Sequence, residues 1–331
     1  GYIVDNTTGT AMRVVIDGWC ENAYNASSYY IKNLNESWIE TAPFTDWTGD
    51  HRTYWAQDAN YTGSNTYPDG ATYAGLQYHS WSDATNKSGT SVYVHENTID
   101  NTFANVEGDD NANVTTVLVA AHIDYKKADD ENWTTKANIY RQNGVYYTED
   151  VLKQNIVASG DYYWYYTADE SAHWDALDAD DVTMAFTEAD NATPGSVTVT
   201  VSDITAPSTI SANNPVLVKG DNSTTSVDET TVIAALNGSA YTQNLVGYKN
   251  GACYYQIPIE HLSSTTGNEF YGVVRNHSYQ LTITDITDIG GPIYNPDKDL
   301  PLIPGEDKNY YMAARLNVLA WKVISQSAVL N

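Results

Sequence analysis

Val114-Thr-Thr-Val-Leu-Val-Ala-Ala-His-Ile-Asp-Tyr125 is the strongest strand signal in the chain. Its apolar middle is nearly continuous, the pattern of a strand covered on both faces rather than one with a solvated side. It is read as the centre of a sheet. Outward from it, short β-rich runs recur between turn signals: Met12–Ile16, Ser28–Lys32, Ser91–His95, Asp161–Tyr166, Asp180–Phe186, Ser196–Ile204 and Tyr271–Asp285. Ser196–Ile204 alternates strictly, so one of its faces meets water. In the last run Tyr279, Leu281 and Ile283 point one way. Asn143-Gly144 predicts a type I′ hairpin between Asn138–Tyr140 and Val145–Tyr147, and Asn250-Gly251 a second between Leu245–Lys249 and Ala252–Ile257.

Only two helices interrupt this pattern. Thr148 opens one over Glu149–Val157, with Glu149 and Asp150 in its first turn, and Asn237-Gly238 closes another over Asp228–Leu236. Asn35–Val92 is long, polar, aromatic and weakly periodic, and is read as loop-rich. Many short strands with brief helices predict an all-β chain, an antiparallel β-sandwich of transthyretin-like or Greek-key type, rather than a parallel α/β sheet. The expected organisation is a sandwich over residues 1–290 with a loop-rich insertion at about 150–242, a proline-rich arm over 291–311 and a terminal strand over 312–331.

The arm carries Pro296, Pro301 and Pro304, which favour an extended, semi-rigid spacer. The residues after it are unusually apolar for a chain end: Leu316, Val318, Leu319, Trp321, Val323, Ile324, Val329 and Leu330. Two alternating sets, Ala314-Leu316-Val318 and Leu319-Trp321-Val323, fit a strand with a change of parity. Leu316, Leu319, Ala320, Val323 and Ser327 also fall at helical spacing. The β-branched and aromatic content favours the strand. Such a tail must be buried, and nothing near it in sequence offers a partner. The expectation is a strand supplied to another subunit, with Trp321 as its anchor.

The 331 residues hold 42% hydrophobic side chains, enough for a sizeable core, and 27 Tyr with 9 Trp. Lys plus Arg number 16 against 42 Asp plus Glu, a formal net charge of -26. That field repels nucleic acid and anionic membranes. No apolar run is long enough to span a bilayer as a helix. The first residue is glycine, which reads as a processed chain or a fragment. Asn-x-Ser/Thr triplets, among them those at Asn6, Asn25, Asn35, Asn60 and Asn237, are read as composition in an Asn- and Thr-rich chain.

No nucleophile elbow, zinc-helix motif, phosphate loop or dinucleotide fingerprint is present, so neither enzymatic activity nor a cofactor is expected. The two cysteines, Cys20 and Cys253, form no CxxC pair, and no metal site is expected. His122, inside the central strand, is read as a hydrogen-bonded core histidine. Asp109-Asp110 and Asp178–Asp181 do not follow a calcium-loop pattern and are read as solvated turns. The aromatic run Tyr162–Tyr166 fits a buried strand and also a sugar-stacking surface.

Five short stretches, in order, resemble the fimbrillins of Bacteroidales type V pili, the short-fimbria major subunit family. They are Ile16-Asp-Gly-Trp19 with Tyr30–Trp38, then Tyr254-Tyr-Gln-Ile-Pro-Ile-Glu-His-Leu262, then Tyr271–Tyr279, then Gly291–Pro296, and finally Leu316-Asn-Val-Leu-Ala-Trp-Lys-Val323. The resemblance covers roughly a third of the chain. It implies an exported subunit of a cell-surface filament, matured at the outer membrane by removal of an N-terminal strand and polymerising by donation of a C-terminal arm. The implied partners are other copies of itself, accessory or anchor pilins, and host glycans or proteins contacted in adhesion. The family places a further sandwich domain before the Asp-Gly-Trp strand, so this chain looks like the C-terminal domain plus arm. Export is an oxidising route, and Cys20 and Cys253 are then expected on neighbouring strands where they can form a disulfide, the alternative being two buried free thiols. The other readings are a secreted carbohydrate-binding sandwich and a surface-layer or filament protein of a halophile.

Overall fold

The computed structural model describes residues 3–5, 10–25, 76–87, 91–98, 114–188, 197–259, 261, 272–273, 277–286, 288–297, 314–315 and 323–330. In chain order the strands are β1 (Ile3–Asp5), β2 (Ala11–Asn22), β3 (Tyr24–Asn25), β4 (Leu76–Gln77), β5 (Asn97–Thr98) and β6 (Thr116–Lys126). There follow β7 (Ile139–Gln142), β8 (Val145–Thr148), β9 (Tyr162–Ala168), β10 (Ser171–Ala176), β11 (Val182–Glu188), β12 (Val197–Ile204) and β13 (Val216–Lys219). The last are β14 (Val246–Tyr248), β15 (Ala252–Pro258), β16 (Gly272–Val273), β17 (Ser278–Ile286), β18 (Gly291–Pro292), β19 (Ala314–Arg315) and β20 (Val323–Leu330). Three short helices accompany them: α1 (Trp81–Asn86), α2 (Glu149–Ala158) and α3 (Glu229–Asn237). The fold is all-β and sandwich-like, with mostly antiparallel sheets.

The largest sheet has the order β1-β2-β6-β15-β18, so the run around Val114–Tyr125 is its middle strand. Leu118, Val119, Ala120, Ala121 and Ile123 of β6 are buried, as a strand flanked on both edges and covered on both faces requires. The chain forms two compact units, and β2, β6 and β15 contribute residues to each.

One unit comprises Gly1–Asp17, Ala120–Tyr254 and Asp288–Lys298. Its core gathers Trp164 and Leu217 from β9 and β13, Val199, Val201 and Ile204 from β12, and Tyr140 from β7. Leu152 and Ile156 of α2 and Val232 and Leu236 of α3 close it, each pair four residues apart on one helix face. The expected β7–β8 hairpin forms, with Asn143 at φ 50° and Gly144 at φ 82°, the two left-handed residues of a type I′ turn. Thr148 stands at the N-cap of α2 with extended backbone, but its hydroxyl makes no cap bond.

The turn at Asn250-Gly251 is present, yet the hairpin expected there is not. β14 pairs with β7, whereas β15 joins the five-stranded sheet. The physical reason is the approach of β6. A Cβ on Gly251 would stand 2.5 Å from the Ile123 carbonyl oxygen, so the turn sits against that strand and sends β15 along it.

The other unit comprises Gly18–Val119, Tyr255–Thr287 and Asp299–Asn331. It holds α1, a helix not expected from the sequence. Ser80 and Asp83 form a capping box at its start, the Ser80 hydroxyl taking the Asp83 amide and the Asp83 carboxylate taking the Ser80 amide. A buried polar chain lies nearby: Asn97 Nδ2 donates to Thr115 Oγ1 at 2.7 Å, Thr115 Oγ1 to the Ala23 carbonyl at 2.8 Å, and Thr116 Oγ1 to Gln256 Oε1 at 2.9 Å. The expected strand at Ser91–His95 is not formed. Asn97–Thr98 pairs with β16 instead, and Tyr93 is fully exposed. Ser28–Lys32 lies outside the described residues.

Candidate functional site

The sequence directs attention to the chain end, and the sheet containing it has the order β17-β20-β19. β17 alternates as expected: Tyr279, Leu281 and Ile283 are half-buried, while Ser278, Gln280 and Thr282 are exposed. β20 runs parallel to β17, with Ser278 opposite Val323, Tyr279 opposite Ile324, Gln280 opposite Ser325, Thr282 opposite Ser327, and Ile286 opposite Leu330. The register shifts between Ile283 and Asp285. β19 closes the other edge antiparallel, Ala314 opposite Ala328.

Within this chain the tail pairs with β17, from which a long connection in sequence separates it. Parallel neighbours need such a crossover, and it is the reason the pairing is not apparent locally. Of the eight apolar tail residues, Val323, Ile324, Val329 and Leu330 lie in β20, and Leu316, Val318, Leu319 and Trp321 lie outside the described residues. The pairing of β17 with the tail was not read from the sequence, since the alternation of Ser278–Ile283 marks a solvated face and does not name a neighbouring strand.

The start of β17 is pinned by an aromatic cluster. His261 Nδ1 and the Tyr279 hydroxyl are 2.8 Å apart, and the His261 and His277 rings meet edge to face with centroids at 4.8 Å.

Cys20 lies on β2 and Cys253 on β15, and both are buried free thiols. The expected disulfide between neighbouring strands is corrected, because β6 stands between β2 and β15. Strands flanking a third are roughly 9.5 Å apart, beyond the span of about 7 Å a disulfide can bridge. Burial pushes the Cys20 thiol up to about 12, and burial likewise raises Cys253. Both are therefore protonated and poor nucleophiles at neutral pH.

His122 is tied between two carboxylates. Its Nδ1 is 2.7 Å from Asp17 Oδ1 and its Nε2 is 3.2 Å from Asp124 Oδ1. Arg13 holds the other oxygen of Asp124 through Nε at 3.0 Å and a terminal guanidinium nitrogen at 2.8 Å, and its guanidinium carbon lies 4.4 Å from the centre of the Trp133 ring. The hydrogen bond from Asp17, followed by the charges of Asp17 and Asp124, outweighs burial and raises the His122 pKa. The His122–Asp17 hydrogen bond and the Arg13–Asp124 ion pair both tie β2 to β6.

The acidic turn Asp178–Asp181 is not simply solvated. Asp181 is buried, takes the Trp164 indole N–H at 3.0 Å and the Asp178 amide at 3.0 Å, and burial raises its pKa. Asp109-Asp110 lies outside the described residues. Among the described residues no group of three or more His, Cys, Asp or Glu could hold a metal ion, and no helix is long and apolar enough to cross a membrane.

The arrangement is that of an all-β, sandwich-like protein whose last strand is an interior member of a sheet. Residues 247–327 match the family described as major fimbrial subunit protein type IV, fimbrillin, C-terminal. That stretch is similar to the C-terminal region of fimbrillins, a family whose description is that of a major fimbrial subunit. The match begins in β14 and ends inside β20. Four of the five resemblances lie within it, and Ile16–Trp19 with Tyr30–Trp38 lies outside. No curated protein matches the chain.

Proposed function

We propose that this chain is a structural subunit of an extracellular, cell-surface pilus of the type V class, and that it polymerises head to tail by giving its C-terminal strand to another copy. The observation that carries the reading is the fimbrillin match over residues 247–327, which takes in both β17 and most of β20. The pairing of these two strands within one chain is compatible with exchange. The same backbone hydrogen bonds form when β20 comes from a second copy, which is the logic of strand swapping. The apolar tail on a proline-rich arm gives the strand reach. A head-to-tail contact of this kind does not close on itself and so propagates as a filament. Adhesion, accessory pilins and outer-membrane maturation belong to the same reading.

Electron microscopy of purified chain incubated at high concentration tests it. Full-length protein forms filaments. Truncation after Glu306, or Trp321→Asp, leaves a folded monomer that forms none. Filaments from the truncated chain would overturn the donor role of the tail.

A further inference from the structure

The sheet β10-β9-β13 has an outward face that its surroundings do not explain. Register places Ala176, Tyr163 and Val218 on one rung and Trp174, Tyr165 and Val216 on the next. Residues directly opposite one another share a face. The reverse face carries Tyr162, Trp164 and Leu217, all buried in the core. The rungs with Tyr163 and Tyr165 therefore point away from that core, and no charged side chain stands on them. A solvated sheet face is ordinarily polar. Here Tyr163, Tyr165 and Trp174 are half-buried, Val216 is 38% exposed, and the Tyr165 and Trp174 rings lie 5.3 Å apart. The segment after β13 covers the Val218 end of the face, where Val218 is fully buried and bridges Ser226, and Trp174 Nε1 donates to the Ser223 carbonyl at 2.7 Å, which leaves Tyr165 and Val216 as the open part.

Among the described residues, the charges at the two ends of this face are of one sign. Asp161 directly precedes β9, and after burial the charges of Asp161 and Asp221 raise the Tyr163 pKa. At the opposite end the β9–β10 turn presents Asp169 and Glu170, both exposed. The single Lys or Arg of the three strands is Lys219, which sits 5.7 Å from the Tyr162 ring on the reverse face. An aromatic strip thus runs between two anionic ends. From Asp161 to Asp169 the strand advances about 26 Å, the length of an eight- or nine-residue extended peptide and far more than one sugar ring.

We propose that this face docks an extended, arginine-bearing segment of a partner protein. A guanidinium lies over Tyr165 and Trp174, where the ring faces attract a cation and the planar group stacks. Basic residues near the two ends of the segment meet Asp161 with Asp221, and Asp169 with Glu170. Tyr and Trp at the centre with charge at the rim is the usual build of a protein interface.

The test uses the full chain and a nine-residue peptide with arginine at its first, fifth and ninth positions and serine or threonine elsewhere, which puts the three cations on one face of a strand. Binding is followed by titration calorimetry. Tyr165→Ser is expected to weaken it about tenfold. Asp161→Asn with Asp221→Asn, and Asp169→Asn with Glu170→Gln, each weaken it several-fold. The charge-matched pair Asp129→Asn with Asp130→Asn, on a separate loop, leaves it unchanged. Circular dichroism confirms that the variants fold, and Val216→Thr, a milder change on the same rung, gives a second reading of the face. Equal affinity for wild type and Tyr165→Ser overturns the proposal, as does an equal loss in the Asp129/Asp130 variant, which would mark binding as non-specific attraction to an acidic chain. Binding of a neutral oligosaccharide that is lost in Tyr165→Ser, with no peptide binding, makes the face a sugar platform and also overturns it.

Discussion

Asp17 Oδ1 lies 2.7 Å from His122 Nδ1, and this pair makes stability depend on pH. The raised pKa of His122, caused first by that hydrogen bond, means the folded state holds its proton more tightly than the unfolded chain. The stabilisation is therefore fully present below about pH 6.5, the ordinary histidine value, and is lost as pH rises through the raised folded value. Urea unfolding at pH 5.5 and 8.5 should show wild type losing about 1 kcal/mol more than Asp17→Asn over that interval. Identical losses in both proteins would exclude the tie as a contributor.

The thiols give a second expectation. Cys20 and Cys253 are buried, unbonded and raised in pKa by burial. Neither should react with a thiol reagent in the native protein at pH 8, and both should react once guanidinium unfolds it. A mass spectrum of unreduced protein showing the chain two hydrogens lighter would contradict the strand order that separates them.

Trp164 and Asp181 supply a third. The indole N–H is one of the few groups compensating a carboxylate that burial disfavours. Trp164→Phe keeps most of the packing and removes the donor, so about 1–3 kcal/mol of stability should be lost. Because burial already raises the Asp181 pKa, its charged form opposes folding at higher pH, and the loss should shrink as pH falls through the raised value. A loss that does not change between pH 4 and pH 7 would place its origin in packing alone.

How much of this was readable beforehand follows from the range of each interaction. β6 was legible because full burial of a central strand writes an unbroken apolar run. The β7–β8 turn was legible because Asn143-Gly144 carries its left-handed backbone in its own residue types. α1 was missed because six residues are too few to show a 3.6-residue period, although Ser80 and Asp83 stood at capping-box spacing. The Cys20–Cys253 pairing failed for a different reason. β-rich flanks say that two residues lie on strands, and strand order is decided by contacts distant in sequence. The same limit hid β17 as the partner of β20, since neither strand's local pattern names its neighbour.

The register of those two strands allows the last prediction to be made at single residues. Gln280 on β17 and Ser325 on β20 are direct partners in the parallel ladder. Adjacent strands are about 4.8 Å apart, inside the Cα separation of roughly 4.4–6.8 Å that a disulfide accepts. Gln280 is exposed, so a cysteine there is open to oxidant, and the buried native thiols do not compete for it. In the double variant Gln280→Cys/Ser325→Cys, oxidation of the dilute soluble chain should give an intrachain bond and a single band of altered mobility on a non-reducing gel. Oxidation of assembled filaments should instead join each subunit to the next and give a ladder that collapses on reduction, because the two introduced thiols that face each other then belong to different copies. The single variants should give neither product. Failure to cross-link the soluble chain would contradict the β17–β20 register. Filaments carrying only intrachain bonds would leave that register standing and refute strand exchange as the means of assembly.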